Sequence, residues 1–222
     1  MTPTSLVELT GVSKTFHSML GPNTVLDEVD LTIYPGEKVS LRGASGSGKS
    51  TLLSLIIGLL IPDTGTVKLN GLDLRDLNDI EQSRLRATSV GIALQSENLI
   101  SFLTARENVE LALSFGGHDR DIANEALALL DRMGVAHLAT FFPRQISGGE
   151  SQRVSLAVAL ANHPKLLIAD EMVAQLDAKT ANFVVEDVFN ADMAVIFVTH
   201  NLSLADKAER RLIVRDKKIA TL

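Results

Sequence analysis

The residues with the clearest chemical potential form a glycine-rich segment, Gly43-Ala44-Ser45-Gly46-Ser47-Gly48-Lys49-Ser50-Thr51, between apolar runs at 39–41 and 52–60. Glycine permits backbone conformations that a Cβ forbids, so the N–H groups of such a loop can turn towards phosphate oxygens. Lys49 is placed to reach the β- and γ-phosphates, and Ser50 to hold Mg²⁺. A glycine-rich turn without a ligand is the alternative. The complete pattern favours a strand, a phosphate-binding loop and a helix whose N-terminus also attracts anions.

Two carboxylates, Asp170 and Glu171, follow a second apolar run at 166–169. A run that is apolar throughout is typical of a strand covered on both faces. Asp170 can hold a metal ion through water. Glu171 can polarise a water molecule for attack on a γ-phosphate, which is the work of a general base. Such a strand end is equally compatible with a structural role, but a phosphate-binding loop elsewhere in the chain favours the chemical one.

His200 and the segment 147–150 are further candidates, each with a structural alternative. His200 follows the apolar run at 195–198, where it can hydrogen-bond to the γ-phosphate, although a lone histidine is more often a core residue. Ser147-Gly148-Gly149-Glu150 can be a capping box. Two glycines in a first helical turn cost about 0.8–1.0 kcal/mol each relative to alanine. That cost predicts that a ligand approaches the backbone at this helix start.

Composition limits the kinds of protein this chain can be. Its 222 residues are 45% hydrophobic, carry a formal net charge of −6 and include no cysteine. The length suits one large domain, the acidic balance argues against a nucleic-acid partner, and the lack of cysteine excludes disulfides and thiolate metal sites. The apolar run at 52–61 is about half of the ~20 residues that span a bilayer. We therefore expect no secretory signal and no direct membrane insertion, so that any work at a membrane needs a partner.

Apolar periodicity predicts an α/β frame with a helical insertion. Strands are predicted at 7–9, 25–33, 39–41, 66–69, 90–94, 166–169, 195–198, 212–214 and 218–220. Helices are predicted at 52–60, 104–113, 121–133, 147–160 and 180–189, and a further helix is predicted to end over 84–89. The expected organisation is one domain, 1–222, in which 1–95 and 161–222 form an α/β core with a β subdomain and 96–160 form a helical subdomain.

Taken in order, these motifs resemble those of the nucleotide-binding subunit of an ABC transporter, across essentially the whole chain. The loop at 43–50 resembles Walker A, Asp170-Glu171 resembles Walker B with its catalytic glutamate, and His200 resembles the switch histidine. Further matches are Gln95 to the Q-loop, Ile146 with 147–150 to the LSGGQ signature, Leu176-Asp177 to the D-loop, and Phe16 to the aromatic residue that stacks on adenine.

The resemblance implies an α/β fold with a P-loop NTPase core. That core has a mostly parallel sheet with flanking helices, an N-terminal antiparallel β subdomain and an inserted all-helical subdomain. It implies ATP and Mg²⁺ as cofactors, with metal ligands Ser50, Gln95 and Asp170. The implied catalytic residues are Lys49, Gln95, Glu171 and His200. The implied nucleotide-binding residues are Phe16, Gly43, Ala44, Ser45, Gly46, Ser47, Gly48, Lys49, Ser50, Thr51, Ser147, Gly148, Gly149 and Glu150.

Within the family, the spacing from Gln95 to Glu107-Asn108-Val109 is similar to that of MacB/LolD-type ATPases, and related haem and peptide exporters share it. This resemblance implies an ATPase that pairs head-to-tail with a second copy around two ATP molecules and drives an integral membrane permease. The work implied is export or extraction of a hydrophobic substrate, such as a lipoprotein, drug, haem or peptide. The implied location is cytoplasmic, on the inner face of the cell membrane.

The chain departs from the family pattern at Met172-Val173, where Pro-Thr is usual, and at Ile146 and Glu150 of the signature. These changes remove no phosphate or metal ligand and bear on communication through the D-loop.

Three alternatives stay open. A soluble ABC ATPase of translation or DNA repair is disfavoured by the single acidic cassette. An importer ATPase is disfavoured because no regulatory extension follows Leu222, and a non-hydrolysing regulator because Glu171 and His200 are present.

Overall fold

The computed structural model describes residues 4–19, 21–93, 99–117 and 121–222, and the chain forms two compact units. The first unit comprises residues 1–86 and 198–222, and the second comprises 87–197. Within the described ranges, no helix combines the length and apolar character that crossing a bilayer requires. The division expected from the sequence, with a helical subdomain at 96–160, stays a prediction.

The elements follow one another in a mixed α/β order. The strands are β1 (Val7–Ser18), β2 (Gly21–Ile33), β3 (Lys38–Arg42), β4 (Thr64–Leu69), β5 (Leu72–Asp73), β6 (Val90–Ala93), β7 (Leu166–Asp170), β8 (Ala194–Val198), β9 (Arg210–Arg215) and β10 (Lys218–Thr221). The helices are α1 (Lys49–Ile56), α2 (Asp79–Ser89), α3 (Ala105–Ser114), α4 (Ile122–Arg132), α5 (Gly148–Leu160), α6 (Ala178–Asn190) and α7 (Leu202–Ala205).

An antiparallel sheet in the order β2-β1-β4-β5 occupies the N-terminal part of the first unit. β1 is longer than its predicted span of 7–9, since it pairs with β2 as far as Ser18 opposite Gly21. Gly11, with φ +58°, interrupts the apolar alternation, and a register shift between Leu9 and Val12 absorbs the irregularity. A β-bulge of this kind hides the second half of a strand from pattern reading.

The first unit also contains the strand and helix that flank the glycine-rich loop. β9 runs parallel to β3 and antiparallel to β10, which confirms the predicted final hairpin. α1 begins directly after the loop but ends at Ile56, earlier than the predicted 60. The chain turns at Gly58, with φ +68°, and the N–H groups of Leu59 and Leu60 donate to Ser54 O instead of continuing the helix.

The second unit holds the strand that carries the two carboxylates. β7 lies parallel to β6 and next to β8. All five residues of β8, and the first four of β7, are buried, which confirms the prediction of strands covered on both faces. Between residues 99 and 160, the described part contains α3, α4, α5 and two 3-10 turns, and no strand.

Close backbone contact fixes β6 against α5. A Cβ added at Gly91 would fall on the carbonyl oxygen of Ala159, too near for any side chain. Because Ala159 belongs to α5, the missing side chain sets how closely this strand and helix pack. The contact therefore helps to position the end of β6, from which the chain enters the segment that contains Gln95.

We expect Gly91→Ala to lower the free energy of unfolding by about 3 kcal/mol, because the added methyl group must displace backbone. Gly71→Ala is the control, since an added Cβ there meets no atom within 4 Å. Its left-handed backbone should limit its cost to about 1 kcal/mol. Urea unfolding followed by circular dichroism measures both variants. Equal losses in the two variants would contradict the packing argument.

Candidate functional site

The loop between β3 and α1 depends on three glycines with positive φ. Gly43, Gly46 and Gly48 have φ values of +149°, +74° and +106°, a region that residues with side chains rarely adopt. At Gly43 the space is also lacking, because an added Cβ would lie 2.5 Å from Ser47 Oγ. The loop therefore folds tightly on itself, with the Ser47 hydroxyl packed against the backbone of Gly43.

Positive and hydrogen-bonding groups converge on this loop. Lys49 Nζ donates to Gly43 O at 2.8 Å and to Ala44 O at 2.9 Å. Ser47 Oγ is buried, and it has no hydrogen-bond partner among the described residues. Gly48 is the N-cap of α1 and offers no side chain to its first N–H groups. A buried hydroxyl without a partner, an uncapped helix start and an ammonium group together fit a phosphate.

Phe16 lies on β1 with 40% of its surface exposed. Lys14 Nζ sits 5.8 Å from the centre of its ring, a cation–π distance. The same ammonium group bonds to Asp63 Oδ1 at 2.8 Å. That side-chain hydrogen bond, followed by the one from the Thr15 N–H, lowers the pKa of the Asp63 carboxyl. The ring thus combines an exposed surface with a fixed cation, which suits stacking on a planar base.

Asp170 and Glu171 lie where the sequence predicts them, at the end of β7 and just after it. Both are half-buried. Glu171 has φ +52°, which is uncommon for a residue with a long side chain. Its carbonyl oxygen accepts hydrogen bonds from Ala174 N at 3.0 Å and from Gln152 Nε2 at 2.6 Å. The proposed general base therefore sits on a strained turn that a side chain of α5 holds in place.

The segment 147–150 forms the capping box that its sequence allows. Ser147 is the N-cap of α5, and its hydroxyl accepts from Glu150 N at 3.3 Å. Glu150 Oε2 accepts from Ser147 N at 2.8 Å and from Ser147 Oγ at 2.7 Å. The backbone hydrogen bond, then the hydroxyl one, lowers the pKa of the Glu150 carboxyl. Glu150 therefore accepts hydrogen bonds at the start of α5 while it carries a negative charge.

The chain itself comes close to the two glycines of this helix start. An added Cβ at Gly148 would collide with the Gln175 amide, and one at Gly149 would lie 2.7 Å from Gln175 O. This packing is a structural reason for glycine here, beside the ligand approach that the sequence suggests. The segments 147–150 and 175–177 line an open groove of about 410 Å³.

Of the residues just before the D-loop, Met172 and Val173 lie in the core, whereas Gln175 lines the groove. Met172 and Val173 are buried, which explains why apolar side chains are accommodated there. Asp177 is the N-cap of α6, and its carboxylate accepts from the Thr180 hydroxyl at 2.6 Å and from Thr180 N at 3.1 Å. Those bonds lower the pKa of the Asp177 carboxyl.

His200 is exposed, and it follows β8 after the buried Thr199. Ser45 and Ser50 are exposed, and Thr51 is half-buried. Gln95 lies outside the described residues, so its predicted roles stay predictions.

Sequence reasoning missed Gln152 and Lys14. The signal for Gln152 was a polar residue among the apolar positions of α5, and the signal for Lys14 was its place two residues before Phe16 on one strand face.

Comparison with known proteins gives a family match. The model of the ABC transporter family matches residues 26–174. The LolD ATP-binding protein of the lipoprotein-releasing system of Shewanella frigidimarina is 40% identical over 220 residues, covering 97% of this chain and 92% of that protein. The ABC transporter ATP-binding protein YknY of Bacillus subtilis is 37% identical, with 96% and 95% covered.

A longer relative matches as well. The macrolide export ATP-binding/permease protein MacB of Rhodospirillum rubrum is 39% identical over 222 residues. The match covers 98% of this chain but 34% of MacB, so the chain spans about a third of that protein's length.

Solved structures confirm the predicted fold class. A dimeric ATP-binding cassette, MJ0796, in a post-hydrolysis state with ADP and Pi, superposes with a TM-score of 0.90 at 36% identity, covering 97% of this chain and 98% of that one. A second dimeric structure of the same cassette gives a TM-score of 0.89 at 35% identity, with 96% of each chain covered. The fold is therefore the α/β cassette expected from the sequence, with an antiparallel N-terminal sheet and a parallel sheet with helices.

We expect Ser147→Ala to lower the free energy of unfolding by about 1 kcal/mol at neutral pH, because it removes one arm of the capping box. The pKa of Glu150 should rise towards its ordinary value. Since the folded-state pKa is lowered, the stabilisation is present above the ordinary pKa of about 4.3 and disappears as the pH falls through the folded value. The difference between wild type and variant should therefore shrink in acid.

Chemical denaturation between pH 3 and 7, with an NMR titration of the Glu150 carboxyl, measures both effects. Ser151→Ala is the control, because it lies on the same helix outside the capping box. A Glu150 pKa that is unchanged in Ser147→Ala would show that the capping box does not set it.

Proposed function

The chain belongs to the ABC transporter family, and we propose that it is the ATP-hydrolysing subunit of a MacB/LolD-type transporter, acting as a homodimer on a membrane permease. Membership makes it an ATPase domain that binds ATP. The observation that carries ATP binding is the loop at 43–49, and the transporter type and the dimer follow from the relatives. In that loop a buried hydroxyl, an uncapped helix start and the Lys49 ammonium group surround one compact turn of backbone.

We assign the grip on the triphosphate to this loop. Backbone N–H groups of residues 43–51 donate to phosphate oxygens, and α1 adds the positive end of its dipole. Lys49 Nζ lies 2.8 Å from Gly43 O. From this position its ammonium group binds the β- and γ-phosphates of ATP. Phe16 supplies the stacking face for the adenine base, with Lys14 near its ring.

We assign hydrolysis to Glu171 and His200, and we keep Gln95 as a catalytic residue implied by the family resemblance. Glu171 accepts a proton from the water as it attacks the γ-phosphate, and His200 donates a hydrogen bond to that phosphate. Lys49 and the loop N–H groups stabilise the charge that develops on the leaving oxygens. Positioning accounts for most of the rate, because phosphoryl transfer needs little covalent chemistry from the protein.

The residues that would hold Mg²⁺ are Ser50, Asp170 and Gln95. Their donors are a hydroxyl, a carboxylate and an amide oxygen, and Mg²⁺ prefers oxygen ligands. Ser50 is exposed in the first turn of α1, and Asp170 is half-buried at the end of β7. When bound, the ion neutralises charge on the β- and γ-phosphates.

The dimer and the permease are proposed from the relatives. The cassette in the similar structures is dimeric, and the relatives are named as parts of lipoprotein-releasing and macrolide-export systems. We propose a head-to-tail pair in which the segment 147–150 of one copy covers ATP on the loop of the other. The pair would work on the cytoplasmic face of the cell membrane and extract or export a hydrophobic substrate.

Lys49→Ala should lower the affinity for ATP at least about 10-fold, because the loop loses the ammonium group that meets the phosphates. Equilibrium binding of a fluorescent ATP analogue, competed with ATP, measures the loss. Lys207→Ala, an exposed lysine in the same unit, should bind as wild type. Undiminished affinity in Lys49→Ala would refute the assigned grip.

Glu171→Gln should bind ATP with nearly wild-type affinity but hydrolyse it about 10²–10⁴-fold more slowly, because an amide cannot accept the proton. Trapped ATP should then hold the dimer together, which size-exclusion chromatography detects in the presence of Mg²⁺ and ATP. Glu186→Gln, a carboxylate on α6, is the matched control. Wild-type turnover in Glu171→Gln would remove Glu171 from the role of base.

A further inference from the structure

We propose that Gln152 is a positioning residue for hydrolysis, because its single amide fixes the turn that aims Glu171. The inference rests on the proposed function of Glu171 as general base. It adds a residue of α5, outside the loop and both carboxylates, to the group that sets the rate. No motif pointed to Gln152, and its role follows from two hydrogen bonds.

The Gln152 amide bridges both ends of the turn at 171–175. Its Nε2 donates to Glu171 O at 2.6 Å, and its Oε1 accepts from Gln175 N at 3.3 Å. Gln152 is only 8% exposed, so little water competes for these bonds. A buried amide that uses both its donor and its acceptor on backbone defines the path of that backbone more tightly than packing alone.

The turn needs such a restraint because Glu171 is held in a strained conformation. Its φ of +52° is unfavourable for a residue with a Cβ, and such conformations persist only when their surroundings impose them. A return to negative φ would swing the Cα–Cβ bond and with it the carboxylate. The donor arm of Gln152 opposes that return, since it binds the carbonyl group of the strained residue itself.

The same amide also joins this turn to the start of α5. Gln152 lies in the first two turns of the helix that begins at Gly148, and the turn at 175–176 rests on Gly148 and Gly149. The Gln152 side chain therefore links the helix start to the carbonyl group of Glu171, beside the direct packing of the turn on the two glycines. A buried glutamine with a purely structural role would stabilise the fold without affecting turnover separately.

Gln152→Ala should lower kcat for ATP hydrolysis about 10- to 100-fold, the effect of misplacing a reacting group by about 1 Å. The KM for ATP should stay within about two-fold, because the phosphate-binding loop is untouched. Ser155→Ala is the matched control. It lies one turn further along α5, is also buried, and its hydroxyl has no hydrogen-bond partner among the described residues. Its kcat should equal that of wild type.

Gln152→Glu separates the two arms of the amide. A carboxylate can still accept from Gln175 N but cannot donate to Glu171 O, so kcat should fall as in the alanine variant. Hydrogen–deuterium exchange in the absence of nucleotide gives a second measurement. The Gln175 amide should exchange faster in Gln152→Ala, whereas Gln152→Glu should keep its protection.

Each outcome decides the proposal. A kcat within two-fold of wild type in both Gln152 variants would overturn it, as would equal losses in Ser155→Ala or faster exchange throughout α5, which would indicate a general folding defect. Wild-type protein without ATPase activity would instead refute the proposed function. The exchange of the Gln175 amide would then still report whether Gln152 holds the turn.

Discussion

The loop at 43–48 and the helix start at 147–150 depend on the same constraint. In each, backbone packs directly against other atoms, with no Cβ between them. In the first unit this packing compacts the loop at 43–48, where Ser47 Oγ and Val214 O take the space that a Cβ of Gly43 would need. In the second unit it lets the turn at 175–176 lie on the start of α5. In the proposed function, the same glycines that permit this packing also leave backbone N–H groups accessible to phosphate.

At the groove of the second unit, two carboxylates accept hydrogen bonds at helix starts and also keep their negative charge. Glu150 and Asp177 each cap a helix and each has a lowered pKa. They remain ionised through the physiological range, and the positive ends of α5 and α6 compensate them. An anion near this groove therefore meets helix N-termini whose nearest carboxylates are already hydrogen-bonded. The acidic residues of this groove are for this reason compatible with the anion binding that we propose.

The parts of the structure that local chemistry determines were predictable from the sequence. The loop at 43–51, the buried strands β7 and β8 and the final hairpin each carry their signal within a few residues. The length of β1 and the proposed role of Gln152 depend on contacts between residues that are distant in sequence, such as Gln152 and Glu171, 19 positions apart. Periodicity marks Gln152 only as a polar residue on an apolar helix, because its partners are backbone groups without a sequence identity.

The positive φ of Glu171 has a consequence for how this protein tolerates change. Glycine at that position would relieve a backbone strain of about 1 kcal/mol, a gain that the greater freedom of glycine in the unfolded chain largely offsets. The glutamate persists in a conformation that disfavours it, which is the pattern of a residue maintained for activity against the interest of stability.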